Sequence, residues 1–519
     1  MKKQFFYAAM ALAMLSSCSK DNDLVAPDPT PDVIDDTTPA MIQLGINTPT
    51  VVTTRGTGSV GDLATEAQNN KWNKQALAIY MFPKNKIETF TSPISSLSFQ
   101  APTSDATDNK VTITDGTVPY YPMQGSFDFY GYHMDTETDN ANPVATVTNN
   151  TLVANGTIDG TNDVMAAIAQ LSLEDQAKLL NKFYNSTNYV VSSDGKSVVN
   201  GSTPLTDQEK ADLAKESEKA FSSYAARRDI QPNLIFKHVL TRLKFNVKAG
   251  EDKAAQDYYT GANAVPSHKL PNTTFTEEQL GKLNQGEIID LDADVNGTET
   301  TDGAVYIQEI KVINQQDGVT LTFTPGTAAV IAADGTSVTT PAVAPKCEAT
   351  FSAATADAAF TLMGRDTNWK TALAGATSLI PTAPEAYDAA SPSATAVGES
   401  MMITPKQETF TVEIIVMQYV ITKKGATESE DEYKWKVSKL KSTVKAPTKM
   451  PDPEKADQKI ESTDKTEEGA YYFAAGKSYN INITVYGYQK IEINAELTGW
   501  IAGDDVDVNP EDDAFNKNN

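Results

Sequence analysis

The sequence has few of the residues on which most catalytic and metal sites depend. Its 519 residues include only two cysteines and three histidines, which excludes a disulfide framework and a cysteine-rich zinc site. Basic residues are also scarce, with 43 Lys and Arg against 68 Asp and Glu and a formal charge of -25. Duplex nucleic acid requires a basic face, so we expect no nucleic-acid partner. We likewise expect no cofactor, no bound metal and no enzymatic activity.

Motifs for nucleophilic catalysis and dinucleotide binding are missing as well. His133, His238 and His268 lie in unrelated local contexts without a GxSxG or Cys-Gly motif, so we expect structural roles for all three. Gly56 to Gly61 spell GxGxxG, but no buried strand precedes them and no acidic residue follows at the distance that a ribose requires. We therefore interpret this motif as a glycine loop.

The chain begins with an export signal. Residues 1–3 include two lysines, and an apolar run from Phe5 to Leu15 leads into Ser16-Ser17-Cys18. The run is too short to span a bilayer and is typical of a signal peptide. The sequence around Cys18 resembles a bacterial lipobox, which predicts a signal peptide over 1–17 and a lipid anchor on Cys18. The alternative is an ordinary signal peptide that happens to contain a cysteine.

The segment after Cys18 is acidic and without periodicity. Residues 19–40 are rich in Asp, Pro and Thr, which predicts an extended tether. Lys20-Asp21-Asn22-Asp23 is similar to the export tag of surface lipoproteins in some Gram-negative bacteria, and a merely polar linker is the alternative. With Cys18 lipidated, Cys347 has no disulfide partner within the chain.

Beyond the tether, apolar residues recur with a period of two, which indicates β-strands. One apolar and one polar face are typical of strands in antiparallel sandwiches. The first such strand is 41–47, with Ile42, Leu44 and Ile46 on one face, and the last is 491–497, with Ile491, Ile493 and Leu497 on one face. Further strands are predicted at 76–82, 125–133, 239–247, 319–323, 410–419 and 479–485.

Helices are few, and their starts follow from capping sequences. The second helix is expected to run to about Arg228, and Pro232 then marks its end. Three pairs predict the helix starts: Ser172 with Asp175, Thr206 with Glu209, and Thr276 with Gln279.

We predict a mainly β protein of two tandem antiparallel β-sandwich domains with a few short helices. The boundary is expected near residue 230, so that one domain covers 56–229 and the other 230–519. Within the second domain, 326–400 is rich in Ala, Thr and Ser and 424–470 in Lys and Glu. Both segments are expected to be long loops or insertions, the second of them around one short strand with Tyr433, Trp435 and Val437.

Two ligand hypotheses remain open at this stage. Asp292, Asp294, Asn296 and Gly297 match the first half of a calcium loop, but Gly303 stands where a bidentate Glu is needed, so a solvated turn is the alternative. The aromatic residues between Tyr120 and Tyr132 could form a sugar-binding platform, although a sandwich core is the commoner place for such rings.

Arg55 is a candidate cleavage site. The residue lies between 51–54 and the glycine loop, a setting open to proteolysis. A cut between Arg55 and Gly56 would separate residues 18–55 from the rest of the chain. The alternatives are an incidental arginine in a loop and cleavage at Arg227-Arg228.

Together these segments resemble the FimA-type fimbrillins, the subunits of type V pili of Gram-negative anaerobes. The resemblance rests on pieces spread over most of the chain, each weak by itself. They are the lipobox at Cys18, the acidic spacer, the strand before Arg55-Gly56, the strand 76–82, Tyr130-Gly131-Tyr132-His133, the segments 162–167 and 236–240, and the closing strand pair with Trp500.

The resemblance implies two transthyretin-like, Greek-key sandwiches, exported as an outer-membrane lipoprotein that carries diacylglycerol and palmitate on Cys18. It further implies that an Arg-specific surface protease cuts after Arg55 and removes the strand with Ile42, Leu44 and Ile46. A strand of the neighbouring subunit would then fill the groove by donor-strand exchange, with Ile491, Ile493 and Leu497 as the best donor candidates.

Such a protein would be a structural subunit of a cell-surface fimbrium, and we expect the stalk. Its partners would be copies of itself or related subunits, head to tail, with host proteins or glycans as further partners. The alternative is a tip adhesin or surface glycan-binding lipoprotein that stays anchored and does not polymerise.

Overall fold

The computed structural model of the protein contains many short β-strands and few helices. It describes residues 39–46, 72, 74–103, 109–134, 142–249, 266–269, 271, 275–292, 299–300, 305–362, 395–451 and 458–498. Within these residues the protein is mainly β, as the sequence predicts. The described α-helices are α1 Leu173–Tyr184, α2 Asp207–Ser217, α3 Ser223–Ala226 and α4 Glu277–Asn284, and a 3-10 turn covers Glu428–Glu430.

The first half of the chain contributes fourteen of the described strands. They are β1 Gly45–Ile46, β2 Ala76–Pro83, β3 Phe99–Gln100, β4 Thr112–Ile113, β5 Phe127–Met134, β6 Thr146–Thr148, β7 Thr151–Thr157, β8 Val164–Gln170, β9 Tyr189–Val191, β10 Val198–Asn200, β11 Thr203–Pro204, β12 Asn233–Leu234, β13 Lys237–His238 and β14 Thr241–Ala249.

The second half contains the longest strands. They are β15 His268–Lys269, β16 Ile289–Leu291, β17 Glu299–Thr300, β18 Val305–Gln315, β19 Gly318–Thr324, β20 Val330–Ile331, β21 Val338–Thr340, β22 Lys346–Ser352, β23 Ala358–Thr361, β24 Thr395–Ile403, β25 Thr409–Lys423, β26 Glu432–Lys445, β27 Lys449–Pro451, β28 Lys459–Glu461, β29 Ser478–Val485 and β30 Ile491–Thr498.

One sheet, which we call the central sheet, has the order β1-β12-β8-β5-β2-β3-β4, with β13 also paired to β8. It is covered by side chains on both faces. Its middle strand, β5, has all eight residues buried. Phe127 and Phe129 face one hydrophobic cluster, whereas Tyr130 and Tyr132 face another. Gly131 leaves room for a neighbouring ring, because a Cβ there would lie 3.1 Å from Cζ of Phe236.

The Tyr130 face of this sheet packs against a second sheet, in the order β22-β19-β7-β6. The ring of Phe323 in β19 lies edge-on to Tyr130, with 5.7 Å between the ring centroids. The pairing of β7 with β19 joins residues from both sides of position 230. The domain boundary near residue 230 stays a prediction, and a continuous hydrogen-bonded sheet crosses it.

The C-terminal strands form a sandwich, as the alternation predicts. One sheet has the order β24-β14-β29-β30 and the other β16-β26-β25-β18-β23. Their inner side chains, including Phe245, Ile481, Val312 and Ile414, belong to one buried cluster. The sheet β24-β14-β29-β30 is not purely antiparallel, because β14 and β29 pair in parallel over Arg242 to Ala249.

The strand β25 is apolar on both faces because it has two cores to fill. One face supplies Val412 and Ile414 to the sandwich interior. The other supplies Ile415 and Met417 to a smaller cluster with Trp435, Val437, Leu283 of α4 and Ile289 of β16.

The capping sequences place the helix starts correctly. Ser172, Thr206 and Thr276 are the N-caps of α1, α2 and α4, and the last two form complete capping boxes. The expected extension of the second helix to Arg228 is wrong. The helix ends at Ser217, and the backbone of Phe221 has a φ of 54°, which an α-helix does not allow.

The expected loops at 326–400 and 424–470 are also wrong for much of the described part of these segments, whereas the short strand expected around Trp435 is confirmed. Residues 432–445 form β26, which pairs with β25 along its length, and β20 to β23 lie within 330–361. The strand β26 is longer than expected, because the residues after Val437 are mostly Ser, Thr and Lys and the apolar alternation does not extend through them. In β22, only Cys347 is buried, so the apolar alternation is too weak to detect.

No helix among the described residues is long and apolar enough to cross a membrane.

Glu209 connects the cap of α2 to the small sheet of β9, β10 and β11. Its carboxylate accepts hydrogen bonds from the backbone N–H of Thr206 at 2.7 Å, the hydroxyl of Tyr189 at 2.7 Å and the amide of Asn200 at 2.9 Å. These bonds lower the pKa of Glu209 from 4.5 to about 2. The ionised carboxylate therefore stabilises α2 fully above pH 4.5, and this contribution is lost as the pH falls towards 2.

We predict that Glu209→Gln lowers the hydrogen-exchange protection of the amides in Asp207–Ser217 at neutral pH. The difference from the wild type should shrink below pH 4.5, because the wild-type carboxyl is then increasingly protonated. Peptide-level exchange, corrected for intrinsic rates, measures this. Helix α4 is the internal control, since its capping box uses the neutral Gln279. A difference that does not change with pH would contradict the prediction.

Candidate functional site

The segment 39–46 lies in a slot between two other parts of the chain. On one side runs the segment 109–121, in the antiparallel direction, and on the other side runs 231–234, in the parallel direction. We call the space between them the first-strand slot. Its floor is the Phe129 face of the central sheet.

The antiparallel wall holds the segment by backbone hydrogen bonds along most of its length. The N–H of Ile42 donates to the carbonyl of Pro119 at 2.9 Å, and the N–H of Tyr121 donates to the carbonyl of Ala40 at 2.9 Å. Further along, the N–H of Ile46 donates to the carbonyl of Asn109 at 2.8 Å, and the N–H of Val111 donates to the carbonyl of Leu44 at 2.9 Å. The segment is therefore an inserted strand and not a surface tail.

On the parallel wall, the side chain of Gln231 makes two of the hydrogen bonds that a strand backbone would otherwise make. The N–H of Gly45 donates to the carbonyl of Pro232 at 3.0 Å. Upstream, the Gln231 side chain accepts from the N–H of Gln43 at 3.2 Å and donates to the carbonyl of Met41 at 3.3 Å. The Gln231 amide thus satisfies the two groups that a neighbouring strand would otherwise pair.

Alternate side chains of the segment are buried in the slot. Ala40, Ile42, Leu44 and Ile46 are 7%, 4%, 6% and 1% exposed, and all four belong to the cluster that contains Phe129. Burying one Ile or Leu side chain contributes about 1.5–3 kcal/mol. The predicted removable strand is therefore an integral part of this core.

Tyr121 forms part of the lining of the same core. Its ring lies edge-on to Phe129, with 6.3 Å between centroids. Burial raises the pKa of Tyr121 well above its usual range, and its hydroxyl has no hydrogen-bond partner among the described residues. A buried hydroxyl without a partner lowers the free energy of unfolding, so the Tyr121 hydroxyl destabilises the core next to the inserted strand.

The other predicted processing residues lie outside the described residues. This holds for the lipidation site Cys18 and for the cleavage pair Arg55 and Gly56. Trp500 and most of the calcium-loop candidate, residues 293–298, also lie outside them.

The donor candidates Ile491, Ile493 and Leu497 lie in β30, at the edge of the sheet β24-β14-β29-β30. They contact the sandwich core, and Leu497 is 6% exposed. Along its inner edge β30 pairs with β29 from Ile491 to Thr498. The opposite edge has no strand partner among the described residues.

The second candidate cleavage site, Arg227-Arg228, is held in folded backbone at the end of α3. The guanidinium of Arg228 stacks on the ring of Tyr224 at 3.4 Å from its centroid and donates to the carbonyl of Tyr224 at 2.7 Å. A protease requires an extended, accessible segment, so we expect cleavage here to be slow.

The three histidines are separate from one another and make structural contacts. Nδ1 of His133 lies 2.9 Å from the carbonyl of Ala76, and Nδ1 of His268 lies 2.8 Å from that of Pro266. Nδ1 of His238 lies 2.8 Å from Oδ2 of Asp163. Within the described ranges, no group of three or more His, Cys, Asp or Glu residues could hold a metal ion.

The sugar-platform hypothesis for the aromatic residues between Tyr120 and Tyr132 is wrong. The rings of Tyr121, Phe129, Tyr130 and Tyr132 are at most 3% exposed, so a saccharide cannot reach them. Tyr120 remains exposed, at 49%. The rings are buried because the central sheet is covered on both faces.

Cys347 lies in β22 as a buried free thiol. Burial raises its pKa well above the usual range, so the reactive thiolate is disfavoured.

We predict that Ile46→Ala lowers the free energy of unfolding by about 2–4 kcal/mol, because it removes buried atoms and leaves a cavity in the slot. Gln43→Ala is the matched control, since Gln43 lies in the same segment with an exposed side chain, and its effect should stay within about 0.5 kcal/mol. Urea denaturation followed by tryptophan fluorescence measures both. Equal effects of the two substitutions would show that the segment is not held as described.

No known protein-family model and no curated protein matches the sequence. Two solved structures with a detectable likeness are candidate cell-adhesion proteins from Bacteroides species. The one from Bacteroides uniformis has 10% identity over 89% of this chain and 98% of its own, with a TM-score of 0.32. The one from Bacteroides ovatus has 8% identity over 90% of this chain and 100% of its own, with a TM-score of 0.29. Another is the fimbrial anchor protein Mfa2 from Porphyromonas gingivalis, with 10% identity, 89% and 99% coverage and a TM-score of 0.24. TM-scores this low carry no inference about the function of this chain.

Proposed function

We propose that this protein is a structural subunit of a cell-surface fimbrium, in which proteolysis removes the first strand and a neighbouring subunit replaces it. The observation that supports this most is the first-strand slot. It holds a short strand with paired backbone on both sides and four buried side chains. That strand lies between a predicted lipid anchor at Cys18 and a predicted cleavage site at Arg55.

Removal of the strand would leave backbone groups and apolar side chains of the slot without partners, which favours insertion of another strand. The carbonyls of Pro119, Asn109 and Pro232 would each lose a backbone donor. A buried polar group without a partner costs about 1–3 kcal/mol, and the apolar floor around Phe129 would face water. An open edge of this kind pairs with any suitable extended segment, which is β-augmentation.

β30 has the properties of a donor. Its apolar residues alternate with the polar residues Glu492, Asn494 and Glu496. The segment that it would replace, 39–46, also has apolar residues at every second position. As an edge strand it is paired on one side, so its release breaks one ladder of hydrogen bonds and not two. Donation from one subunit to the next in a contact that does not close generates a filament.

The predicted export signal fits this scheme. The precursor would reach the outer membrane as a lipoprotein anchored through Cys18, and cleavage after Arg55 would free it from the lipid. The mature protein would then lie in the extracellular fimbrium, most simply in the stalk, and would have no enzymatic activity.

We predict that an Arg-specific protease converts the purified precursor into a form that begins at Gly56 and oligomerises. Arg55→Ala should stay monomeric under the same treatment, whereas Arg228→Ala should behave like the wild type because Arg228 is packed on Tyr224. Mass spectrometry identifies the cut, and light scattering measures assembly. Normal polymerisation of Arg55→Ala would overturn the maturation step.

The donor assignment has a separate test in mixed assembly. One population carries Asn233→Cys, on the slot wall, and the other carries Asn494→Cys, on β30. We predict disulfide-linked heterodimers after cleavage and none before it. Lys424→Cys, exposed in a turn after β25, replaces Asn494→Cys in the control. Assembly without cross-linking would overturn the choice of β30 as donor.

A further inference from the structure

We propose that a cleft between β13, the turn after β18, β22 and the turn at 404–407 binds a sugar that carries a carboxylate. The cleft has a volume of about 610 Å³, within the range of small-molecule sites. It is separate from the first-strand slot, and the proposal does not depend on polymerisation.

The charge of the cleft is opposite to that of the chain. Among the described residues, its lining includes Lys237 and Lys406 and no Asp or Glu, although acidic residues outnumber basic ones by 68 to 43 in the sequence. The carboxylate of Asp163 behind His238 offsets part of this charge. A local excess of positive charge within a concave surface concentrates anions. This composition favours a ligand with a negative group.

Lys406 occupies a conformation that is rare for lysine. Its backbone φ is 62°, and its N–H donates to the carbonyl of Phe473 at 2.7 Å. The side chain is exposed and forms no ion pair with any described residue. This backbone conformation is kept only where the surrounding structure holds it, so the position of Lys406 at the cleft is fixed.

His238 and Gln407 are held in place by neighbours behind the cleft. Nδ1 of His238 contacts the buried carboxylate of Asp163 at 2.8 Å. The Gln407 amide donates to the hydroxyl of Thr404 at 2.7 Å and to Oε1 of Gln315 at 3.0 Å. Groups fixed in this way bind a ligand at a lower cost in conformational entropy.

The remaining lining indicates a sugar. Asn314, Gln316 and Thr350 are exposed at the cleft and can each donate and accept hydrogen bonds, as sugar hydroxyls require. Phe351 is half-buried and adds an apolar surface. A simple anion would need only the cations, and a neutral sugar would need only the amides, hydroxyl and ring. A carboxylated sugar uses both sets.

The test is calorimetric titration of the full chain with two acidic probes, sialyllactose and digalacturonate, and with lactose as the neutral probe. At least one acidic probe should bind about tenfold or more tightly than lactose, with affinity that falls as salt is added. Binding of neither acidic probe, or equal binding of lactose, overturns the proposal. Competition by sodium acetate at the same concentration as the sugar would reduce the site to one for simple anions and would overturn the sugar assignment.

Substitutions of residues that line the cleft test whether the sugar binds there. Lys406→Gln and Phe351→Ala should each weaken the acidic probe by about tenfold, since each removes one of the two kinds of contact. Lys424→Gln is the matched control, because it removes the charge of an exposed lysine outside the cleft. Circular dichroism checks that every variant is folded. Binding by Lys406→Gln at wild-type strength would exclude the cleft as the site.

Discussion

The burial of both faces of β5 is the constraint on which the rest of the structure depends. A strand whose eight residues are all buried needs a layer of side chains above it and another below. The sheet with Phe323 supplies one layer. On the other face, the described residues supply short strands and irregular segments, and the four buried side chains of 39–46 complete the cover. A segment near the predicted anchor therefore closes one of the two main cores.

The same constraint explains why residues on both sides of position 230 share a sheet. The layer over the Tyr130 face is made from β7 and β19, which are far apart in sequence. Pairing of distant segments is slow to form because bringing their ends together costs loop-closure entropy before any contact is made. The N-terminal core can therefore close on this face only after the second half of the chain is present.

Much of the strand content could be predicted from the sequence, because a half-buried strand carries its own alternation. The strands at 127–134, 241–249, 478–485 and 491–498 follow apolar residues at every second position. The capping boxes at Thr206 and Thr276 are equally local signals. Where the exposed face is rich in Lys or Thr and few residues are buried, as in the C-terminal half of β26 and in β22, the alternation disappears and the sequence does not indicate a strand.

The candidate site could be predicted only in part, for the same reason. Ile42, Leu44 and Ile46 are visible as a pattern, but their walls are not, since 109–121 and 231–234 include no continuous apolar alternation. The role of Gln231 depends on where folding places its amide. The cleft near Lys406 gathers residues from distant strands and turns, and no sequence spacing indicates it.

The two walls of the first-strand slot differ in a way that gives the site a direction. One wall pairs antiparallel at Gly45 and Lys110, and the other pairs in parallel at Gly45 and Asn233. The two arrangements have different hydrogen-bond spacings, so a strand inserted in reverse would meet each wall with the wrong pattern. An occupant must enter with the chain polarity of 39–46, and a series of such exchanges would fix every subunit in the same orientation along the fibre.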